Sequence, residues 1–340
     1  MSVPNPTLFQ PLKIGTMSIP GRIIKTATTE TMSTENGFVT DALVQFYEPF
    51  AKAGTPLIIT GNFYTQRSGR VYKLMPGADH DDKLPGMMRL VDGVHQHGAK
   101  ICAQLSHAGR QVFQPSTSTD PVSASTVQDK FSGITPRALG RDEIRIIVRG
   151  FAEAALRCKR AGFDAIQLHA AQGYLLSQFL TPYTNRRCDA YGGNFESRLR
   201  IVVEIIRETR ALVGPDYPIL VKLNGHDALP LRKGLKTRAL LKIAQRLEAE
   251  GVDAIEVSVG HYESGFPAIR GTFDRFFKAL LEEGVGREYP RRKQSMMRLT
   301  RSAITMLANR IWPYVQGFNP AICNTIQGCF EHPCDLCWWF

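Results

Sequence analysis

The sequence predicts a parallel α/β fold of the (β/α)₈ barrel class, and three observations carry that prediction. A phrase recurs in which a helical pattern ends in Gly and an apolar strand follows at once. Strand and helix patterns alternate along the chain with few hairpin signals, which means a parallel sheet. No Gly-x-Gly-x-x-Gly turn follows an early strand, as an open dinucleotide-binding sheet would want.

Taken in order, the first strand is read in GRIIKTAT near the start. FAKAGTPLIIT and HQHGAKICAQL each give a helix end followed by a strand. The spacing of Ile144, Ile147, Val148, Phe151, Ala155 and Cys158 then predicts a helix over residues 141 to 160 with one apolar face. It runs into KRAGFDAIQLH, and YPILVKLNG and EAEGVDAIEVS follow. Gly54, Gly98, Gly162 and Gly251 each suit the position just past a helix, where a left-handed backbone carries no Cβ penalty. The apolar runs after them read as buried parallel strands. The result is six β/α units in sequence.

In such a barrel the active site lies at the C-terminal ends of the strands. The residues there are Thr26, Ala27, Thr28 and Thr29; Gly61 and Asn62; Gln104 and His107; His169 and Gln172; Lys222 and Asn224; Ser258 and Gly260. They hold no carboxylate pair for glycoside hydrolysis and no Asp/His/Glu cluster with metal-ligand spacing, so no metal is expected. Amides, hydroxyls, imidazoles and one lysine suit recognition of a flat heterocycle.

Composition narrows the class further. The net charge of +11 is spread along the chain, with Arg291-Arg292-Lys293 its densest run, and no nucleic-acid-binding pattern accompanies it. An anionic cofactor, an anionic substrate or a solvated face accounts for it instead. No apolar run approaches the roughly 18 residues of a membrane span, and the N-terminal stretch lacks a secretory pattern. A cytoplasmic location, a small-molecule partner, no nucleic acid and no membrane are the expectations.

The stretches CAQLSHAGRQ, DAIQLHAAQGYLLSQFLTPYTNRR and DAYGGNFESRLR resemble the Old Yellow Enzyme family of NADH:flavin oxidoreductases, and the resemblance runs from Leu8 to about Gly260. It implies a barrel holding FMN across its mouth, with NADH or NADPH as reductant and an electron-poor C=C bond of an unsaturated carbonyl compound as acceptor. Carried over, Ala27 and Thr28 line the flavin near N5 and Thr29 meets its O4, while Asn62 and Gln104 face the pyrimidine edge. Lys222 takes the place of the family's basic residue near N1 and C2=O, commonly Arg, and its alternative reading is a salt bridge at the mouth. His169 and Gln172 fall on the pair that polarises the substrate oxygen, where the second member is usually His or Asn. Tyr174 matches the proton donor. Arg198 and Arg200 read as structural anchors of the YGGNFESRLR turn.

After the sixth strand the resemblance loses its order. The sequence divides into a barrel portion over 1–260, a long basic loop or helical insertion over 261–319 and an aberrant tail over 320–340. The tail ends in CFEHPCDLCWWF. Tryptophan has one codon, so Trp338-Trp339 read one nucleotide later becomes Gly-Gly. The codons before it permit an amphipathic helix and a buried strand, in the order that the family shows at strand 7. A one-nucleotide frame change near Asn319 and Pro320 is therefore expected. The competing reading makes Cys323, Cys329, Cys334 and Cys337 a zinc or iron–sulfur site, although their spacing does not match the usual cluster pattern, or takes the Cys-x-x-Cys of Cys334 and Cys337 as a redox pair. With six of eight units, the outer edges of the first and sixth strands are expected to be unpaired. The functional alternative is an inactive barrel remnant without stable FMN binding.

Overall fold

The computed structural model describes residues 6–112, 120–229, 234–261, 263, 290–311 and 337–338. A hairpin of β1 (Leu12–Ile14) and β2 (Met17–Ile19) comes first. Then follow β3 (Ile24–Lys25), α1 (Asp41–Lys52), β4 (Leu57–Tyr64), α2 (Leu84–His95) and β5 (Lys100–Ser106). A small pair, β6 (Val122–Ser123) and β7 (Arg137–Ala138), precedes α3 (Arg141–Arg160), β8 (Ala165–Ala170) and α4 (Leu175–Leu180). The chain continues through α5 (Phe195–Val213), β9 (Ile219–Asn224), α6 (Thr237–Ala249) and β10 (Ala254–Ser258). Helix α7 (Arg291–Ile311) and the two-residue β11 (Cys337–Trp338) complete the described elements.

The main sheet runs β11-β10-β9-β8-β5-β4-β3, every neighbouring pair parallel. The six strands expected from sequence are β3, β4, β5, β8, β9 and β10, in barrel order. The helix expected over residues 141 to 160 is α3, and its Ile144, Ile147, Val148, Phe151, Ala155 and Cys158 are all buried. Gly54, Gly98, Gly162 and Gly251 all have positive φ, between 77° and 93°. Each lets the chain turn from a helix into the following strand without a Cβ clash.

Apolar residues fill both sides of the sheet. On the outside, the helices pack a continuous core against strand residues such as Ile58, Ile101, Ile166 and Val221. On the inside, Leu12, Ile14, Met17 and Ile19 of the hairpin meet Leu57, Cys102, Ala165, Leu220 and Ala254 near the strand starts. The hairpin is thus a floor for the barrel, closing its N-terminal end. Gly15, at φ 55°, makes its tight turn, and a Cβ there would meet the Asp253 carboxylate at 2.4 Å.

One expectation needs correction. The outer edge of the sixth strand is not bare along its whole length, because Cys337 and Trp338 of β11 pair in parallel with Ile255 and Glu256. Of the insertion over 261–319, residues 291–311 form α7. The frame-change reading and the four-cysteine alternative rest on residues 319–340, of which Cys337 and Trp338 alone are among the described residues.

Candidate active site

Two rows of side chains cross the sheet near its C-terminal end. In the first, Asn62, Gln104 and Gln167 are register partners on β4, β5 and β8. The second row holds His169, Lys222 and Glu256 on β8, β9 and β10. All six are buried. Adjacent strands present the same face, and the Gln167–Glu256 hydrogen bond joins the two rows, so residues more than 190 positions apart in sequence belong to one site.

A register irregularity between Ile59 and Asn62 shapes β4 where it approaches the site. The Gly61 N–H donates to the Tyr47 hydroxyl at 2.6 Å, and that hydroxyl donates to Glu30 at 2.5 Å. A Cβ on Gly61 would lie 1.8 Å from Glu30 Oε2 and 2.3 Å from the Thr28 carbonyl, so only glycine fits beneath the loop after β3. That loop carries Ala27, Thr28 and Thr29. Ala27 packs against the interior floor cluster, whereas Thr28 and Thr29 are exposed. Lys25 donates to the Thr28 hydroxyl at 2.8 Å, and the Thr29 hydroxyl donates to Asn62 Oδ1 at 3.3 Å. Burial raises the Glu30 carboxyl above its ordinary range, with the Tyr47 hydrogen bond opposing.

His169 is held well below the ordinary imidazole value, first by burial and then by the Lys222 charge, with a hydrogen bond to Gln172 acting the other way. Its Nδ1 accepts the Ala171 N–H at 3.4 Å. A neutral ring with Nδ1 accepting carries its proton on Nε2. The Tyr174 ring stands edge-on to His169 at 4.6 Å between centroids. Gln172 has φ 56°, unusual for a residue with a side chain, and two hydrogen bonds hold it there. Its N–H donates to Asn224 Oδ1 at 3.0 Å, and its side-chain amide to the Ser258 hydroxyl at 3.1 Å.

Lys222 forms an ion pair with Glu256 at 2.7 Å, both side chains less than a tenth exposed. Glu256 also accepts from Gln167 Nε2 at 2.8 Å, and Gln167 Oε1 accepts from Gln104 Nε2 at 2.6 Å. Sequence reasoning passed over Glu30, Gln167 and Glu256. A signal existed for two of them, since a Glu between Ile255 and Val257, and a Gln between Ile166 and Leu168, interrupt otherwise apolar strands. The structure brings Asn62, Gln104, His169, Gln172, Tyr174 and Lys222 to one end of the sheet, with Thr29 bonded to Asn62.

His107, also at a strand end, has a different setting. Its pKa falls to about 4 through burial alone, and its Nδ1 accepts the Gly109 N–H at 3.1 Å. The anchoring reading of the arginines matches the contacts seen. Arg198 donates to the Leu180 and Gly193 carbonyls, and Arg200 to that of Ala190, around the Gly192-Gly193 turn. No metal-binding cluster and no helix long and apolar enough to cross a membrane occur among the described residues.

Comparison with known proteins identifies the group. The chain is 41% identical over 263 residues to a metal reductase of Desulforamulus reducens, covering 77% of this chain and 39% of that protein. It is 34% identical over 280 residues to an NADPH dehydrogenase of Listeria monocytogenes, covering 82% and 81%. The match thus spans only about two fifths of the metal reductase's length. Among solved structures, morphinone reductase in complex with tetrahydroNAD superposes with a TM-score of 0.67 at 31% identity, over 75% of this chain and 74% of that one. An Old Yellow Enzyme homologue from Zymomonas mobilis gives 0.67 at 27% identity, over 75% and 74%. A sequence model of the NADH:flavin oxidoreductase / NADH oxidase family matches residues 7–280, and the chain belongs to that family.

Proposed function

We infer that this chain is an FMN-dependent oxidoreductase that passes hydride from NADH or NADPH to the activated C=C bond of an unsaturated carbonyl compound. The observation that carries the reading is the neutral His169 with its proton on Nε2, between Lys222 in register and Tyr174 in ring contact.

The donor set fits FMN. Amides on Asn62 and Gln104 can both donate and accept, as the pyrimidine edge of a flavin requires. Lys222 brings a buried cation to the neighbouring row, and Thr29 shares a hydrogen bond with Asn62. Bound FMN would supply two-electron hydride chemistry, which no side chain of the site can provide.

The remaining work falls to the chain's own residues. The His169 Nε2–H, with Gln172 beside it, donates to the substrate's carbonyl oxygen as negative charge grows there, which makes the β-carbon more electrophilic. Because His169 remains neutral across the physiological range, it polarises without giving up its proton. Tyr174 delivers the proton to the α-carbon, a step that suits a phenol un-ionised at neutral pH.

The test is visible absorbance of the purified chain with FMN, before and after NADH or NADPH is added without oxygen, followed by 2-cyclohexenone. A bound flavin that bleaches and regains colour with the enone supports the reading. Absence of bound flavin after incubation with FMN would overturn it.

A further inference from the structure

We propose that Glu256 is a positioning residue that fixes, through Gln167, which atom of the Gln104 amide faces the bound ring. The proposal deepens the flavin reading above and rests on it.

Hydrogen-bond polarity sets the orientation of both amides. An ionised carboxylate only accepts, so the Gln167 atom 2.8 Å from Glu256 Oε2 has to be the amide nitrogen. Gln167 Oε1 is thereby turned toward Gln104, and the Gln104 atom 2.6 Å away has to be a donor. One N–H of Gln104 is committed to Gln167, which leaves its carbonyl oxygen and second N–H to a ligand. Without the carboxylate, both glutamines could flip together, and nothing in the pair itself would select one orientation. Lys222 Nζ lies 2.7 Å from Glu256 Oε1, a cationic partner for the carboxylate, and the pair lies in one register row. Gln104, Gln167, Glu256 and Lys222 are 2%, 0%, 4% and 6% exposed, so water does not compete for these bonds.

The ligand edge selected is one that donates to the Gln104 oxygen. The imide N3–H of a flavin is such a group, and methylation at N3 removes it. The relay thus predicts a preference of FMN over 3-methyl-FMN that depends on Glu256, a residue whose role would run wholly through Gln167 and Lys222.

The experiment uses the full 340-residue chain, its Glu256→Gln variant and its Gln167→Met variant, with dissociation constants for FMN and 3-methyl-FMN read from flavin fluorescence. Circular dichroism and a melting curve check that each variant folds. Wild type is expected to favour FMN by about tenfold, the ratio that one hydrogen bond supplies. Both variants are expected to bring that ratio close to one. Gln167→Met leaves the Lys222–Glu256 pair in place, so it tests the relay even where Glu256→Gln unfolds the chain. A folded variant that keeps the wild-type ratio overturns the relay while the flavin reading stands. A wild type that binds FMN and 3-methyl-FMN equally overturns it too. A wild type that takes up neither flavin brings down the flavin reading itself.

Discussion

His107 and His169 sit beside strand ends, out of reach of water, and their titration follows from that. The pKa of His107 drops from 6.5 to about 4, and that of His169 also falls. Between those values the unfolded chain binds protons that the folded chain refuses, so stability is complete above pH 6.5 and declines as pH falls toward 4. For His107 the full effect amounts to about 3 kcal/mol. Urea midpoints at pH 7 and pH 5 should therefore drop less in His107→Asn than in wild type, and equal drops would contradict the assignment. For His169 the test is catalytic. Removing one preorganised donor at a developing oxyanion slows turnover about 10²- to 10³-fold, so His169→Ala is expected to lose that much 2-cyclohexenone reduction in steady-state assays. An unchanged rate would remove His169 from the site.

The end of β4 shows how an element is bent to serve a site. Tyr47, on α1, ties the Gly61 amide to Glu30, and with it the loop that carries Thr28 and Thr29. Tyr47→Phe leaves a buried N–H without its acceptor and takes from the Glu30 carboxylate one of its two hydroxyl donors, and should destabilise by about 1–3 kcal/mol in urea unfolding. Gly61→Ala should do worse to the site than to the fold, weakening FMN binding because the displaced loop is the one bonded to Asn62. Equal FMN affinity in Gly61→Ala and wild type would separate the loop from the cofactor. Four of the six strands were legible because their apolar runs begin just after a helix-ending glycine, at Gly54, Gly98, Gly162 and Gly251. The hairpin was not, since Leu12–Ile19 offers only two three-residue strands around Gly15, too short for a period-2 pattern to stand out. Glu256 and Gln167 were hidden by the same logic that found their strands. A run read for its apolar residues hides the polar one within it, and only the register of the sheet shows that both face the side opposite the helices.

At the scale of the molecule the two ends of the sheet have separate duties, apolar floor below and polar site above. Ile14 is fully buried in the floor, and Ile14→Ala should cost about 2–5 kcal/mol in denaturant unfolding. The FMN dissociation constant of the folded variant should stay at the wild-type value. A matching loss of cofactor affinity would mean that floor and mouth are coupled. The frame-change reading is tested by sequencing genomic DNA and transcript across Asn319 and Pro320, where an intact frame without a family-like continuation would sink it. The chain of bonds from Gln104 through Gln167 to Glu256 links three strands by long crossovers, and each crossover is a loop whose closure costs entropy before any contact repays it. The site is accordingly expected to be among the last things to form during refolding. Its ligand would recognise only chains whose strands have all docked, so the first appearance of bound flavin would time the end of folding.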